Sequence, residues 1–269
     1  MKLTLGFSPC PNDTFMFDAL VNKKVDTEEL EFEVILEDVE TLNLMALERK
    51  LDVTKLSFNA FLRACSDYIL LQSGSALGKN CGPLVISKAH HSLDSKSKVA
   101  IPGKYTTANS LFQLAFPNCK NTTEIIFSEI EDAVLNERVD AGVIIHENRF
   151  TYEQKGLQKV MDLGEYWESE TGLPIPLGGI AVLRTFNTDI QQKVQRVLKR
   201  SIEYAFQNPK SSEDYVCKYA QEMSYDIMQK HIELYVNEYS VNLGVNGREA
   251  IEYLFQKNNV STENLFVGL

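Results

Sequence analysis

The histidine at position 146 has the residue type and the place that best suit proton transfer. It directly follows the short apolar run at positions 143–145, which begins soon after Asp140 and is too short for a helix. This pattern predicts a buried strand that ends at His146, and ligands bind at the carboxyl ends of parallel strands in open α/β sheets. Imidazole titrates near neutral pH, so this side chain can serve as a general base. A histidine that merely caps the strand and bonds to backbone is the alternative.

A second group of candidate residues lies near the N-terminus. Alternating strand formers at positions 3–7 lead into the turn 8–13, which predicts a strand, a turn and then a helix over 14–22. The N–H groups of a first helical turn can hold an anion, so Ser8, Asn12 and Asp13 are candidate ligand contacts. An ordinary strand-to-helix turn explains the same residues.

Composition limits the classes of function that the chain can have. The 269 residues carry a formal net charge of −10, and no basic stripe is present to neutralise phosphates, so neither nucleic acid nor an anionic membrane is an expected partner. No apolar run approaches the length that spans a bilayer. The chain enters a strand almost at once, without the apolar core of a secretory signal, and we therefore expect a cytoplasmic protein.

The cysteine and histidine pattern argues against a metal centre. The five cysteines are scattered and form no Cys-x-x-Cys pair, so reduced and mostly buried thiols are expected. His90 and His91 are adjacent rather than helically spaced, which favours a surface loop over a metal pair. Whether Cys10 or Cys81 does more than pack stays open.

The hydrophobic pattern along the chain predicts an α/β protein. Strand signals occur in two series, each interleaved with helical patterns, and a polar unpatterned stretch over 88–98 separates the series. The predicted strands lie at 3–7, 30–37, 51–57, 68–72, 83–87, 98–102, 124–128, 141–145 and 180–183. Helix and loop are predicted over 152–164, a turn-rich crossing over 165–179, and a helical tail from 187 onward.

A weak internal repeat supports two lobes of similar layout. The segments 47–59 and 135–147 both run from a helix through an aliphatic residue and an aspartate, Asp52 or Asp140, into a short apolar strand and then a polar residue. In each segment the aspartate is expected to tie the helix end to the strand start. The predicted lobes are 1–88 plus 177–269, with the helical tail, and 89–176. Two crossings would join them around a central ligand cleft, where binding sites are common.

Four motifs resemble the 1,4-dihydroxy-6-naphthoate synthases of the futalosine route to menaquinone. They are the segments 6–18, 51–57, 102–108 and 142–147, and the likeness runs over nearly the whole chain. The resemblance implies a type II periplasmic-binding-protein-like fold, used as a cytoplasmic lyase. It also implies conversion of cyclic dehypoxanthine futalosine, a carboxylated small molecule, to 1,4-dihydroxy-6-naphthoate. No metal and no organic cofactor is implied, and the oligomeric state is left undetermined.

The same resemblance assigns roles to particular residues. It places the catalytic base on His146 and the substrate contacts on two segments, Lys55-Leu56-Ser57 and Thr106-Thr107. Ammonium, hydroxyl and helix-start N–H groups are suitable donors to a carboxylate. Before the resemblance is considered, Lys55 also fits a surface lysine, and the two threonines also fit a plain helix cap.

Two other functions remain as alternatives. Chorismate dehydratase of the same pathway shares the fold, but the turn 8–13 and the strand that ends in His146 favour the synthase. A non-catalytic solute-binding module of a transporter is disfavoured by the expected absence of a signal peptide and of a lipobox-like cysteine. Turnover separates these alternatives, since a binding protein leaves its ligand chemically unchanged.

Overall fold

The computed structural model describes residues 1–89, 92–220 and 224–268, so the interpretation of His90 and His91 lies outside the described residues. The described strands are β1 Lys2–Phe7, β2 Glu31–Leu36, β3 Val53–Ser57, β4 Tyr68–Leu70, β5 Ala76–Gly78, β6 Leu84–Ser87, β7 Val99–Ile101, β8 Thr122–Glu124, β9 Ala141–Ile144, β10 Gln158–Asp162 and β11 Ile175–Leu183. The described helices are α1 Pro11–Val21, α2 Val39–Leu47, α3 Phe58–Ala64, α4 Thr107–Ala115, α5 Ile130–Leu135, α6 Leu163–Thr171, α7 Thr188–Gln207, α8 Glu213–Tyr219, α9 Tyr225–Tyr235, α10 Glu238–Val241 and α11 Gly244–Lys257.

The chain divides into two compact units. Unit 1 comprises residues 1–78 and 176–269, and unit 2 comprises residues 79–175. In the described part of the chain the strands form two sheets, one in each unit. The first residue of β11 belongs to unit 2, and the rest of that strand belongs to unit 1. The lobe boundaries expected from the sequence (1–88 plus 177–269, and 89–176) remain a prediction. Unit 1 and unit 2 denote the two structural units.

The sheet of unit 1 has the strand order β2-β1-β3-β11-β4, with β5 also paired to β11. Strand β1 runs parallel to β2 and β3, whereas β11 runs antiparallel to β3 and β4. The carboxyl ends of β1 and β3 therefore lie at the same edge of the sheet. Helix α1 follows β1 at that edge, and helix α3 follows β3.

Helix α1 is buried on all sides along almost its whole length. Its sequence accordingly shows no single apolar stripe. Every residue from Pro11 to Leu20 is buried, because the C-terminal helices α7, α8 and α9 pack against it. The Ser201 hydroxyl on α7 donates to the Met16 carbonyl at 2.6 Å and accepts from the Leu20 N–H at 3.0 Å. This bond pair fixes α1, and with it the turn that precedes it, against the helical tail.

A glycine controls the pairing of β3 with β11. Gly178 lies opposite Ser57 in the antiparallel ladder, and a Cβ at this position would lie 2.7 Å from the Leu56 carbonyl oxygen. We therefore expect Gly178→Ala to lower the free energy of unfolding by about 1–3 kcal/mol, the usual cost of overpacking. Urea denaturation measures the change. Gly268→Ala is the matched control, because a Cβ there meets nothing within 4 Å, and equal stability of the two variants would contradict the expectation.

The sheet of unit 2 has the strand order β10-β6-β9-β7-β8. Strand β7 runs parallel to β8 and β9, and β6 runs antiparallel to β9 and β10. Helix α5 packs closely on β9, because a Cβ at Gly142 would lie 2.4 Å from Ile130 Cγ2. Strand β9 is wholly buried, so the apolar run before His146 is the core strand that its sequence predicts.

Four expectations about elements are wrong. The helix expected over 14–22 is α1 at Pro11–Val21, so Asn12 and Asp13 lie in its first turn rather than before it. The strand expected over 124–128 is β8 at Thr122–Glu124, followed by a 3-10 turn at Phe127–Glu129. The helix and loop expected over 152–164 contain a 3-10 turn and then strand β10. Strand β11 begins at Ile175, inside the segment expected to be a turn. Its proline is tolerated because Pro176 precedes the residues that pair with β3.

The two aspartates of the internal repeat occupy equivalent places, but they bond to a neighbouring strand rather than to their own helix. Asp52 accepts from the N–H and the hydroxyl of Thr4 on β1, at 2.8 and 3.0 Å. Asp140 accepts from the N–H of Lys98, directly before β7, at 2.7 Å. Each aspartate thus sets the start of a parallel strand pair. Among the described residues, no helix is both long and apolar enough to cross a bilayer.

Candidate active site

The buried carboxylate of Asp13 is the centre of a polar cluster in unit 1. One oxygen, Oδ2, accepts from the Ser8 hydroxyl at 2.7 Å and from the Ser8 N–H at 3.2 Å. The other oxygen, Oδ1, accepts from the Asn12 amide at 2.9 Å and from the Lys55 ammonium at 2.9 Å. The three residues predicted from the N-terminal turn are therefore joined to the lysine predicted from β3.

Lys55 is buried, so it is not the surface lysine that its sequence also allowed. Its side chain is 8% exposed and that of Asp13 is 1% exposed. Strands alternate their side chains between two faces, so Lys55 and Ser57 share a face and Leu56 lies on the other. Because a charge removed from water requires a partner, Asp13 is what allows an ammonium to remain at this position.

Ser57 and Leu56 differ in what they can offer to a ligand. Asn43 on α2 accepts from the Ser57 N–H at 2.9 Å and donates to its hydroxyl at 3.3 Å, which fixes the end of β3. Leu56 is fully buried in the core. Its side chain therefore cannot reach a polar ligand, and any contribution of Leu56 to binding comes from its backbone.

The two threonines of unit 2 start helix α4. The Thr106 hydroxyl accepts from the Asn109 N–H at 3.1 Å and donates to the Gly103 carbonyl at 2.8 Å, so Thr106 is the helix cap. Thr107 is the first helical residue, and both threonines are buried. The first turn (Thr107, Ala108 and Asn109) carries no acidic side chain, and the positive end of a helix dipole favours an anion.

His146 follows β9 in an unusual backbone conformation. Its φ is +58°, in the left-handed region that few residues other than glycine adopt. The ring is half-buried and lies edge-on to Phe127, with a distance of 4.9 Å between ring centroids. Strain of this kind, of order 1–3 kcal/mol, is often found at functional sites.

The short turn that begins at His146 is anchored by an arginine. The guanidinium of Arg149 donates to the Gly82 carbonyl at 2.5 Å and to Asp162 Oδ2 at 2.6 Å. Asp162 also caps α6 by accepting from the Gly164 N–H at 2.8 Å. The histidine is therefore carried by a segment that is tied to both β10 and the start of α6.

Two polar residues of the unit 1 cluster were not identified from the sequence. Asn43 lies on α2, and His231 lies on α9 within the helical tail that the sequence assigned to packing. His231 is fully buried, and its Nε2 atom lies 3.0 Å from Asn12 Oδ1. The available signal was the presence of one histidine on the apolar face formed by Met228, Ile232 and Tyr235.

The thiol of Cys81 is not a nucleophile at neutral pH. Burial raises the pKa of the Cys81 thiol to about 12, so the reactive thiolate is absent under ordinary conditions. Cys10 is also buried, at the residue before α1. For Cys81, burial and the raised pKa favour packing over chemistry.

The sequence matches one family and two named relatives over most of its length. The model of a family described as Menaquinone biosynthesis matches residues 3–259. A 1,4-dihydroxy-6-naphthoate synthase of Thermus thermophilus is 42% identical over 253 residues, which cover 94% of this chain and 92% of the relative. A protein of the same name from Streptomyces coelicolor is 40% identical over 260 residues, covering 95% and 92%.

Solved structures agree on the fold. A crystal structure of a protein from Archaeoglobus fulgidus has a TM-score of 0.91 and 36% identity, and the match covers 96% of this chain and 97% of that one. The ligand-binding component of an ABC-type import system from Staphylococcus aureus has a TM-score of 0.72 at 12% identity, covering 100% and 96%. An alkanesulfonate-binding protein from Xanthomonas axonopodis has a TM-score of 0.69 at 12% identity, covering 99% and 96%. The α/β, periplasmic-binding-protein-like fold class predicted from the sequence is confirmed.

Proposed function

The chain belongs to the 1,4-dihydroxy-6-naphthoate synthase family of menaquinone biosynthesis, and we propose that it is a lyase that converts cyclic dehypoxanthine futalosine to 1,4-dihydroxy-6-naphthoate. The observation that carries the proposal is the relationship to two named synthases over nearly the whole chain. The buried donors of unit 1 and the strained histidine of unit 2 support it, because they occupy the positions where the resemblance expects substrate contacts and a base. A cytoplasmic location belongs to the same proposal.

The proposed carboxylate contacts are Lys55, Ser57 and the first turn of α4. Lys55 brings an ammonium into a site from which water is largely excluded, where a charge-assisted hydrogen bond is stronger than at a surface. Its pairing with Asp13 at 2.9 Å holds the ammonium in place before the ligand arrives. Thr107 offers a hydroxyl and an N–H group at a helix start, which suits a second anionic or carbonyl oxygen, and Thr106 caps that helix start through its bonds to Gly103 and Asn109.

The proposed base is His146. The neutral imidazole removes a proton that a neighbouring carbonyl of the substrate makes acidic, and donors around the ligand stabilise the enolate that develops. Cleavage of a carbon–carbon bond then releases the sugar-derived fragment, and aromatisation of the new ring supplies the driving force. Phe127, edge-on to the imidazole at 4.9 Å, and the Arg149 anchor keep the ring in one place. A fixed ring position matters because a small displacement of a general base removes much of its rate enhancement.

A turnover assay tests the proposal. Purified protein is mixed, in molar excess, with cyclic dehypoxanthine futalosine as the substrate. The naphthoate product is followed by absorbance and identified by mass spectrometry. Chorismate is offered in a parallel reaction. We expect conversion of the futalosine derivative alone. Loss of water from chorismate would favour the dehydratase instead, and binding of the futalosine derivative with no chemical change would favour a solute-binding protein.

A further inference from the structure

His231 is a buried titratable residue that the proposed chemistry does not use. It lies on α9, more than two hundred positions from Asn12 in sequence, and its side chain is fully buried. Helix α9 packs directly on α1, and the ring of Tyr235 lies 4.7 Å from the imidazole of His231, between centroids. The Nε2 atom faces Asn12 Oδ1 at 3.0 Å. The histidine thus reaches the polar cluster from helix α9, whereas Lys55 reaches it from β3.

The hydrogen bonds of the cluster have a fixed direction. The carboxylate of Asp13 is held by the ammonium of Lys55, and a carboxylate only accepts hydrogen bonds. The Asn12 amide nitrogen must therefore face Asp13, as its 2.9 Å bond requires. The amide oxygen of Asn12 is then left facing His231, so Nε2 must carry a hydrogen and donate it. The chain of donation runs from His231 to Asn12, from Asn12 to Asp13, and from Lys55 to Asp13.

We propose that His231 is a positioning residue, which holds the Lys55 ammonium in its binding geometry by fixing Asn12 and, through it, Asp13. The role of Lys55 as a carboxylate contact rests on the proposed function, whereas the link between the histidine and the lysine does not. The helical tail therefore completes the ligand-binding edge of the unit 1 sheet in addition to covering α1.

Loss of the imidazole has consequences beyond a loss of packing. Without its donor, the buried amide oxygen of Asn12 loses this hydrogen bond, and the bond to Asp13 alone orients the amide. An amide held at one end only fixes the Asp13 carboxylate less firmly. The Lys55 ammonium, which shares Asp13 Oδ1 with Asn12, is then less firmly placed to meet a ligand.

The experiment compares His231→Leu with His231→Gln, since glutamine can present an N–H near the position of Nε2 and leucine cannot. Met228→Leu is the matched control, because it also places a leucine on the buried face of the same helix. The first readout needs no substrate. In protein labelled with ¹³Cε-lysine, the Lys55 resonance is identified by its absence in Lys55→Arg. We expect it to shift in His231→Leu and to stay at its wild-type position in His231→Gln and Met228→Leu.

The second readout is kinetic. We expect His231→Leu to raise KM for the futalosine derivative about tenfold with kcat within about twofold, which is the pattern of a lost ground-state binding contact. His231→Gln should restore most of the wild-type KM. The proposal would be overturned if the Lys55 signal and KM were unchanged in His231→Leu. It would also be overturned if His231→Leu and His231→Gln altered them equally.

A measurement on the wild-type protein covers the case in which His231→Leu does not fold. The ¹⁵N resonances of the His231 ring show which nitrogen carries hydrogen, and the proposal requires a hydrogen on Nε2. An Nε2 without hydrogen would overturn it. If wild-type protein fails to turn over the futalosine derivative, the proposed function fails alone, because the lysine and imidazole resonances still decide the link between His231 and Lys55.

Discussion

Replacing His146 with alanine is expected to lower kcat by about 10²–10⁴-fold, the usual loss when a general base is removed. The reason is that proton abstraction is the proposed role of this imidazole, whose segment is tied to β10 through Arg149 and Asp162. Steady-state turnover of the futalosine derivative measures the loss. Thermal unfolding should change only modestly, by the somewhat greater strain that alanine meets at a φ of +58° than histidine does.

Two further variants at this position separate the imidazole from the backbone. Asparagine adopts the left-handed region more easily than most residues, so His146→Asn keeps the turn and removes the base. His146→Gly relieves the strain and opens space, so added imidazole should restore part of its activity. Turnover of His146→Asn within a few-fold of wild type would remove His146 from the mechanism, whatever the alanine variant shows.

Replacing Lys55 with methionine is expected to abolish measurable turnover and to lower the free energy of unfolding by about 3–5 kcal/mol. The stability loss follows because the Asp13 side chain, 1% exposed, would retain a buried charge without its counter-ion. The loss of turnover follows because the ammonium is the proposed contact of the substrate carboxylate. Urea denaturation and the turnover assay measure the two effects separately.

The double variant Asp13→Asn/Lys55→Met is the control for this prediction. It removes both charges, so most of the lost stability should return, because a neutral amide beside an apolar side chain costs much less to bury than a lone carboxylate. Activity should not return, since the ammonium is still missing. A double variant as active as the wild type would exclude Lys55 from substrate binding, and one as unstable as Lys55→Met would show that the pair is not coupled as described.

The parts of the site that are set by local sequence could be predicted. The apolar run before His146 and the alternation of β3, which turns Lys55 and Ser57 to one face, are short-range patterns. The strand-to-helix junction that carries Ser8 and Asp13 is likewise local. Ser8, Asp13 and His146 were named from these patterns, whereas Lys55 and Ser57 were named from the family resemblance, and the bonds among these residues were not predicted.

The parts set by tertiary packing could not be predicted in the same way. Asn12 meets His231 across 219 positions of sequence, and no pattern along the chain links the two. Strand β10 was missed because it lies at the edge of its sheet, where its side chains are mostly exposed or half-buried and the usual apolar alternation is weak. Strand β11 was cut short because prolines normally indicate a turn, and here the sheet accepts one before the ladder begins.

The discontinuity of unit 1 has a consequence for biosynthesis. Residues 79–175 are contiguous, so all of unit 2 is present once they leave the ribosome, whereas the first 78 residues must wait for the rest of unit 1. Strand β11 fits between β3 and β4, and α7 covers α1, so the earliest-made segment completes its fold only when the last third of the polypeptide has been translated. During that interval the nascent β1 and α1 expose apolar surface that will later be core, and chaperone contact during translation should concentrate there.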